Sequence, residues 1–181
     1  MHSYYITFSP AIHYLNEKIL PTNNGIYLVF EIRYSKNQNN YLYEYYPLYL
    51  GKACRDTSGN KGIRERILEH FNDKEDKIYK HIELFKFFPK DFNGVITEAG
   101  THENTNLPPA IYITYSFSDN DKILEEVEAA LIFDNRDKLT LNEKNKESYN
   151  GEDITINIQG ETYGLKNQIS LKKGDGDKAY F

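Results

Sequence analysis

The segment Pro47–Phe71, PLYLGKACRDTSGNKGIRERILEHF, concentrates side chains suited to chemistry. Tyr49, Gly51 and Lys52 end a strand-like stretch, and Arg66 and His70 follow on a helical pattern. Being four residues apart, Arg66 and His70 share one helix face, a turn from each other. Lys52, Arg55, Lys61, Arg64 and Arg66 gather in the same segment of a chain whose net charge is −5. An Arg guanidinium offers a planar fork to a phosphate, and a Lys ammonium attracts one as a point charge. A His takes or gives a proton near neutral pH. Gly51 lets the backbone approach a neighbour closely or turn sharply. If the chain binds nucleic acid, its positive charge must be concentrated locally, as in this segment, since an acidic chain has no broad basic surface to offer a polyanion.

The elements that must position these residues are readable on both sides. GIYLVFEIRYS (25–35) is rich in Ile, Val, Tyr and Phe and predicts a strand, KNQNN a hairpin tip, and YLYEYYPLYLG (41–51) the returning strand. Pro47 within it implies an edge, a bulge or a restart. Ile63, Ile67 and Leu68 predict a helix over 61–70. A second amphipathic stretch runs from Lys74 towards Pro89, AIYITYSF (110–117) predicts a strand, and SDNDKILEEVEAALIFDNR (118–136) a helix capped by Ser118 or Asp119. SPAIHYLNEKIL predicts a helix from Ser9 with Pro10 at its first position. After Tyr149, DITINIQGE and QISLKKG predict two short strands, and KKGDGDK a mobile end.

Composition narrows the classes. A length of 181 residues suits one domain, or one with an appendage. The single Cys, Cys54, excludes an intramolecular disulfide and suits a reducing cytoplasm, and its expected role is packing. No apolar run approaches the roughly 20 residues of a membrane span, and the first residues lack the pattern of a secretory signal. A cytoplasmic protein with no membrane partner is expected. His13, His81 and His102 have no zinc spacing, and neither a Walker loop nor a dinucleotide fingerprint is present.

The order of the motifs carries a resemblance. GIY at Gly25–Tyr27 and YLG at Tyr49–Gly51, with Leu50 for the central Ile, resemble the paired tripeptides of the GIY-YIG nuclease superfamily. In RERILEH, Arg66 and His70 stand where that family carries an Arg and, four residues on, a His or Tyr. LEEVEAALI resembles its Glu-bearing helix, and KLTLNE its terminal Asn segment, which implies Glu128 at the metal position and Asn142 as the last site residue. The likeness spans Gly25–Asn142, and PLYLGKA and EAALI look most like the restriction endonucleases of the superfamily. The chain departs from the pattern in a longer hairpin, an insertion at EAGTHENTNLPP, and no aromatic or Pro residue before Asn142.

The resemblance implies an α+β fold, a small and mainly antiparallel sheet flanked by helices. It implies a nuclease domain at 1–148 with an N-terminal helix, followed by a C-terminal extension at 149–181 of short strands and a mobile tail. The implied activity is Mg²⁺-dependent hydrolysis of DNA phosphodiester bonds, of restriction or defence type, with Mn²⁺ able to substitute. Glu128 would hold the metal, and Arg66 would hold a phosphate. Tyr27 or Tyr49 would pass on the water's proton, given a phenol lowered from its usual pKa of about 10 by the charge of Lys52. His70 would bond a Tyr oxygen or accept the proton. Gly51, Lys52, Arg55, Lys61 and Arg64 would meet DNA. A homodimer would turn single-strand nicks into double-strand breaks. Two alternatives are a nuclease toxin with an immunity or accessory protein, and a non-catalytic module that binds nucleic acid or protein.

Overall fold

The computed structural model describes residues 2–37, 40–54, 61–83, 110–118 and 120–176. The architecture is α+β: a four-stranded sheet, a three-stranded sheet and three α-helices among the described residues. The strands are β1 (His2–Thr7), β2 (Ile12–His13), β3 (Gly25–Asn37), β4 (Asn40–Ala53), β5 (Ala110–Phe117), β6 (Ile154–Gln159) and β7 (Gln168–Leu171). The helices are α1 (Ile63–Asn72), α2 (Lys77–Glu83) and α3 (Asp121–Asp134). No helix among the described residues is long and apolar enough to cross a membrane.

The larger sheet has the order β2-β5-β3-β4, antiparallel throughout. Strand alternation gives it two buried faces. Ile26, Leu28, Phe30 and Ile32 of β3 face the core formed with α3 and the smaller sheet. Tyr27 and Val29 face Ile63 and Ile67 of α1 and Ile78 and Ile82 of α2. β4 is the edge strand, and its register on β3 shifts between Val29 and Phe30, which pair with Tyr49 and Pro47. Leu48 is thus the extra residue of a bulge, where a Pro on an edge strand is tolerated.

The open side of β4 is closed by α3 and the turn after it. Leu124, Val127 and Leu131 of α3 form its buried stripe, with the spacing of an amphipathic helix. Asn120 caps α3 by accepting from the Ile123 N–H at 3.2 Å, where Ser118 or Asp119 was expected. Asp119 lies outside the described residues, as do the segment from Phe85 to Pro89, the EAGTHENTNLPP insertion and Arg55.

The N-terminal helix expected from Ser9 is absent: β1 and β2 flank Ser9, and the only helical turn there is a 3₁₀ helix at Tyr14–Ile19. The Ser9 N–H donates to Tyr115 O at 2.8 Å and its hydroxyl accepts from the Tyr115 N–H at 3.2 Å. Pairing with β5 thus takes the groups that would have begun a helix. β6 and β7 are the two expected short strands, paired antiparallel, and β1 joins β6 in parallel. Ile154, Ile156 and Ile158 share one core with Leu28 and Leu131, so the strands after Tyr149 pack as part of the body. Lys172–Gly176, expected to be mobile, is tied down, with Tyr149 N–H donating to Asp175 O and Gly174 N–H to Tyr149 O. Residues 177–181 lie outside the described residues.

Candidate active site

A cleft of about 520 Å³ opens between β4, α1, α2, α3 and the turn after α3. Tyr49, Lys52, Arg66, His70, Glu128 and Asn142, drawn from four parts of the chain, all line it. Tyr27 lies beneath them, fully buried. The other expected residues are placed differently. Lys61 is exposed and ion-pairs with Glu69. Arg64 is not in the cleft wall, and its N–H bonds Pro21 O. Lys77 and Lys144, unmarked by sequence reasoning, do line the cleft.

Gly51 serves the site indirectly. A Cβ there would sit 2.6 Å from the Tyr27 ring and phenol oxygen and 2.9 Å from the Tyr49 ring. The absent side chain is the space in which the Tyr27 ring lies, directly across the Tyr27–Gly51 pair of the ladder.

The outer edge of β4 is read by two side chains. The Asn142 amide accepts from Leu50 N–H at 2.9 Å and donates to Leu50 O at 2.8 Å, matching a backbone partner in both directions. Leu141 N–H donates to the bulge carbonyl of Leu48 at 2.9 Å. One oxygen of Glu128 accepts from Lys52 N–H at 3.0 Å. Burial pushes the Glu128 carboxyl above its ordinary value, opposed by the Lys52 charge and this backbone hydrogen bond.

A hydrogen-bonded chain links the buried Tyr27 to two residues of the cleft wall. Tyr27 Oη lies 2.8 Å from His70 Nε2, and His70 Nδ1 lies 2.7 Å from Asp76 Oδ2. The Tyr27 and Tyr49 rings lie side by side, 6.1 Å apart. Burial pushes the Tyr27 phenol well above its usual value, with the neighbouring Tyr49 adding to the effect. Tyr49 is raised by burial and by the charge of Glu128. The expectation that Lys52 lowers a tyrosine is therefore corrected: desolvation penalises phenolate more than the remote cation favours it. The Lys52 ammonium instead meets Glu125 at 2.5 Å and acts on Glu128.

Two further cations of the cleft wall are also pre-paired. Arg66 meets Glu69 at 2.7 Å, and Lys77 pairs with Glu143. Cys54 has its thiol pushed up to about 11 by burial and by Asp121, which suits the packing role expected of it. Asp76 was missed in the sequence, although an Asp just before the apolar spacing Ile78, Ile82 is a helix-cap signal.

Among the described residues no three His, Cys, Asp or Glu side chains converge as a ligand set. A single carboxylate suffices for Mg²⁺, which is commonly held by one or two carboxylates with waters and substrate phosphate completing its shell. Glu128, a hard oxygen donor on the cleft wall, fits that requirement. Comparison with family models, with curated proteins and with solved structures yields no match.

Proposed function

We propose that the chain is a Mg²⁺-dependent DNA endonuclease of the GIY-YIG kind, acting in restriction or defence. The observation that supports it is convergence. Tyr49, Lys52, Arg66, His70 and Glu128, the residues the resemblance singles out across separate elements, line one cleft. Phosphodiester hydrolysis needs an activated water and charge stabilisation at phosphorus, and this group contains residues for both.

Glu128 holds Mg²⁺ in this proposal, and the ion supplies neutralisation of charge on the phosphate oxygens. Arg66 and Lys52 draw the phosphate into the cleft by exchanging Glu69 and Glu125 for it. Tyr49 is the phenol that faces the cleft, and Tyr27 is the one behind it. Both phenols are raised, so neither rests as phenolate. The base strength comes from His70. Tyr27 gives its proton to His70 Nε2 as it receives the proton of Tyr49, and Tyr49 takes one from the attacking water. DNA is the substrate, and a second copy of the chain serves double-strand cleavage.

The test is plasmid cleavage with Mg²⁺, using wild type, Glu128→Ala and a metal-free control. Cleavage lost on substitution and without metal is expected. A folded wild type that leaves methylated and unmethylated DNAs intact would overturn the proposal.

A further inference from the structure

Asp76 sits on neither the tripeptides nor the Glu-bearing helix, yet its carboxylate makes two contacts in different directions. Oδ2 lies 2.7 Å from His70 Nδ1, and Oδ1 accepts from Ile78 N–H at 2.7 Å, capping α2. Its backbone is fixed as well, the N–H donating to Asp73 O and the carbonyl accepting from Lys80 N–H, each at 3.0 Å. Ile78 and Ile82 then bury α2 in the core that holds Tyr27 and Ile67. The carboxylate is thereby aimed at His70 by a packed helix.

We infer that Asp76 is a positioning residue that sets the direction of proton movement from Tyr27 to His70. An ionised carboxylate only accepts hydrogen bonds, so its partner Nδ1 carries hydrogen. The neutral ring then presents a lone pair at Nε2, and the Tyr27 hydroxyl donates to it across 2.8 Å. Both hydrogens of the Tyr27–His70–Asp76 chain then point from Tyr27 towards Asp76. The opposite tautomer places N–H at Nε2, turns the Tyr27 hydroxyl outward, and leaves the chain without a site for an incoming proton. The tautomer assignment stands on geometry alone, and its use in catalysis rests on the nuclease proposal.

Asp76→Asn tests this with little change of shape. The Asn Oδ1 still accepts from Ile78 N–H, while its amide hydrogens face His70 Nδ1 and require the other tautomer. In the intact chain, imidazole ¹⁵N shifts report which nitrogen carries hydrogen. His70→Gln assigns the resonances among the five histidines. The expected result is protonated Nδ1 and bare Nε2 in wild type, reversed in Asp76→Asn, with an unchanged melting temperature. Plasmid cleavage by Asp76→Asn should fall by about 100-fold or more in kcat with KM little altered, the usual weight of general acid–base catalysis. Asp76→Ala should add a loss of stability by removing the cap. A wild-type ring protonated at Nε2, or an Asp76→Asn ring unchanged from wild type, overturns the inference. So does a reversed tautomer with undiminished kcat. A wild type inactive on every DNA counts against the nuclease proposal, and the shifts still decide the part played by Asp76.

Discussion

Replacing Asn142 with alanine removes an amide that serves as a missing strand. Its oxygen and nitrogen satisfy the Leu50 N–H and carbonyl at 2.9 and 2.8 Å, and the side chain is buried, with 7% of its residue surface exposed. Alanine leaves both backbone groups without partners on the edge strand that carries Tyr49 and Lys52. An orphaned buried polar group costs about 1–3 kcal/mol. Water entering from the adjoining cleft relieves part of this, so the expected loss is about 3 kcal/mol for the pair. In a chain of this size that lowers the melting temperature by roughly 6–12 °C, and with an m-value of about 2 kcal/mol/M it moves the urea midpoint by about 1.5 M. Asn142→Asp should also destabilise the chain, because its carboxylate accepts from Leu50 N–H but repels Leu50 O. Urea and thermal unfolding, run beside the cleavage assay, decide the matter. If Asn142→Ala keeps its stability within about 0.5 kcal/mol and still loses cleavage, Asn142 acts on the substrate, and its assignment to β4 is refuted.

Gly51→Ala should cost about 1–3 kcal/mol through overpacking and displace Tyr27 from His70. Calorimetry and the His70 ¹⁵N shifts would both register it, and an unperturbed ring would refute the packing argument. Glu31 is buried on β3. Burial raises its carboxyl, but His81 of α2, 3.4 Å away, and the hydrogen bonds from Arg33 outweigh this and hold it below the ordinary range. A lowered carboxyl stabilises the fold above the unfolded value of about 4.3 and ceases to as pH falls through the folded one. Glu31→Gln should therefore flatten the acid side of the stability curve, and a parallel curve would contradict the pairing. His13, between Tyr14 and Tyr112, is lowered by burial. The unfolded ring binds the extra proton, so stability should fall as pH drops below about 6.5. His13→Gln should remove that slope.

Residues 25–37 with 40–53, 63–72, 110–117 and 121–134 form the expected hairpin strands, helix, strand and helix because apolar periodicity decides the local state wherever one face is buried. Pro47 marked the bulge for the same local reason. The resemblance grouped Tyr49, Lys52, Arg66, His70 and Glu128 across distant stretches of sequence, and all five line one cleft. Local pattern failed at Ser9, where a cap-forming hydroxyl found a better partner in Tyr115 of a distant strand. It could not distinguish the fully buried Tyr27 from the half-buried Tyr49, since neither strand reveals which helices cover it. The Asn142–Leu50 pairing, the aim of Asp76 at His70 and the upward shift of both phenols arise from contacts and desolvation. Such terms exist only once the chain has closed, so residue order marks residues that share the cleft, and the tertiary structure decides how each is held and which atoms it meets.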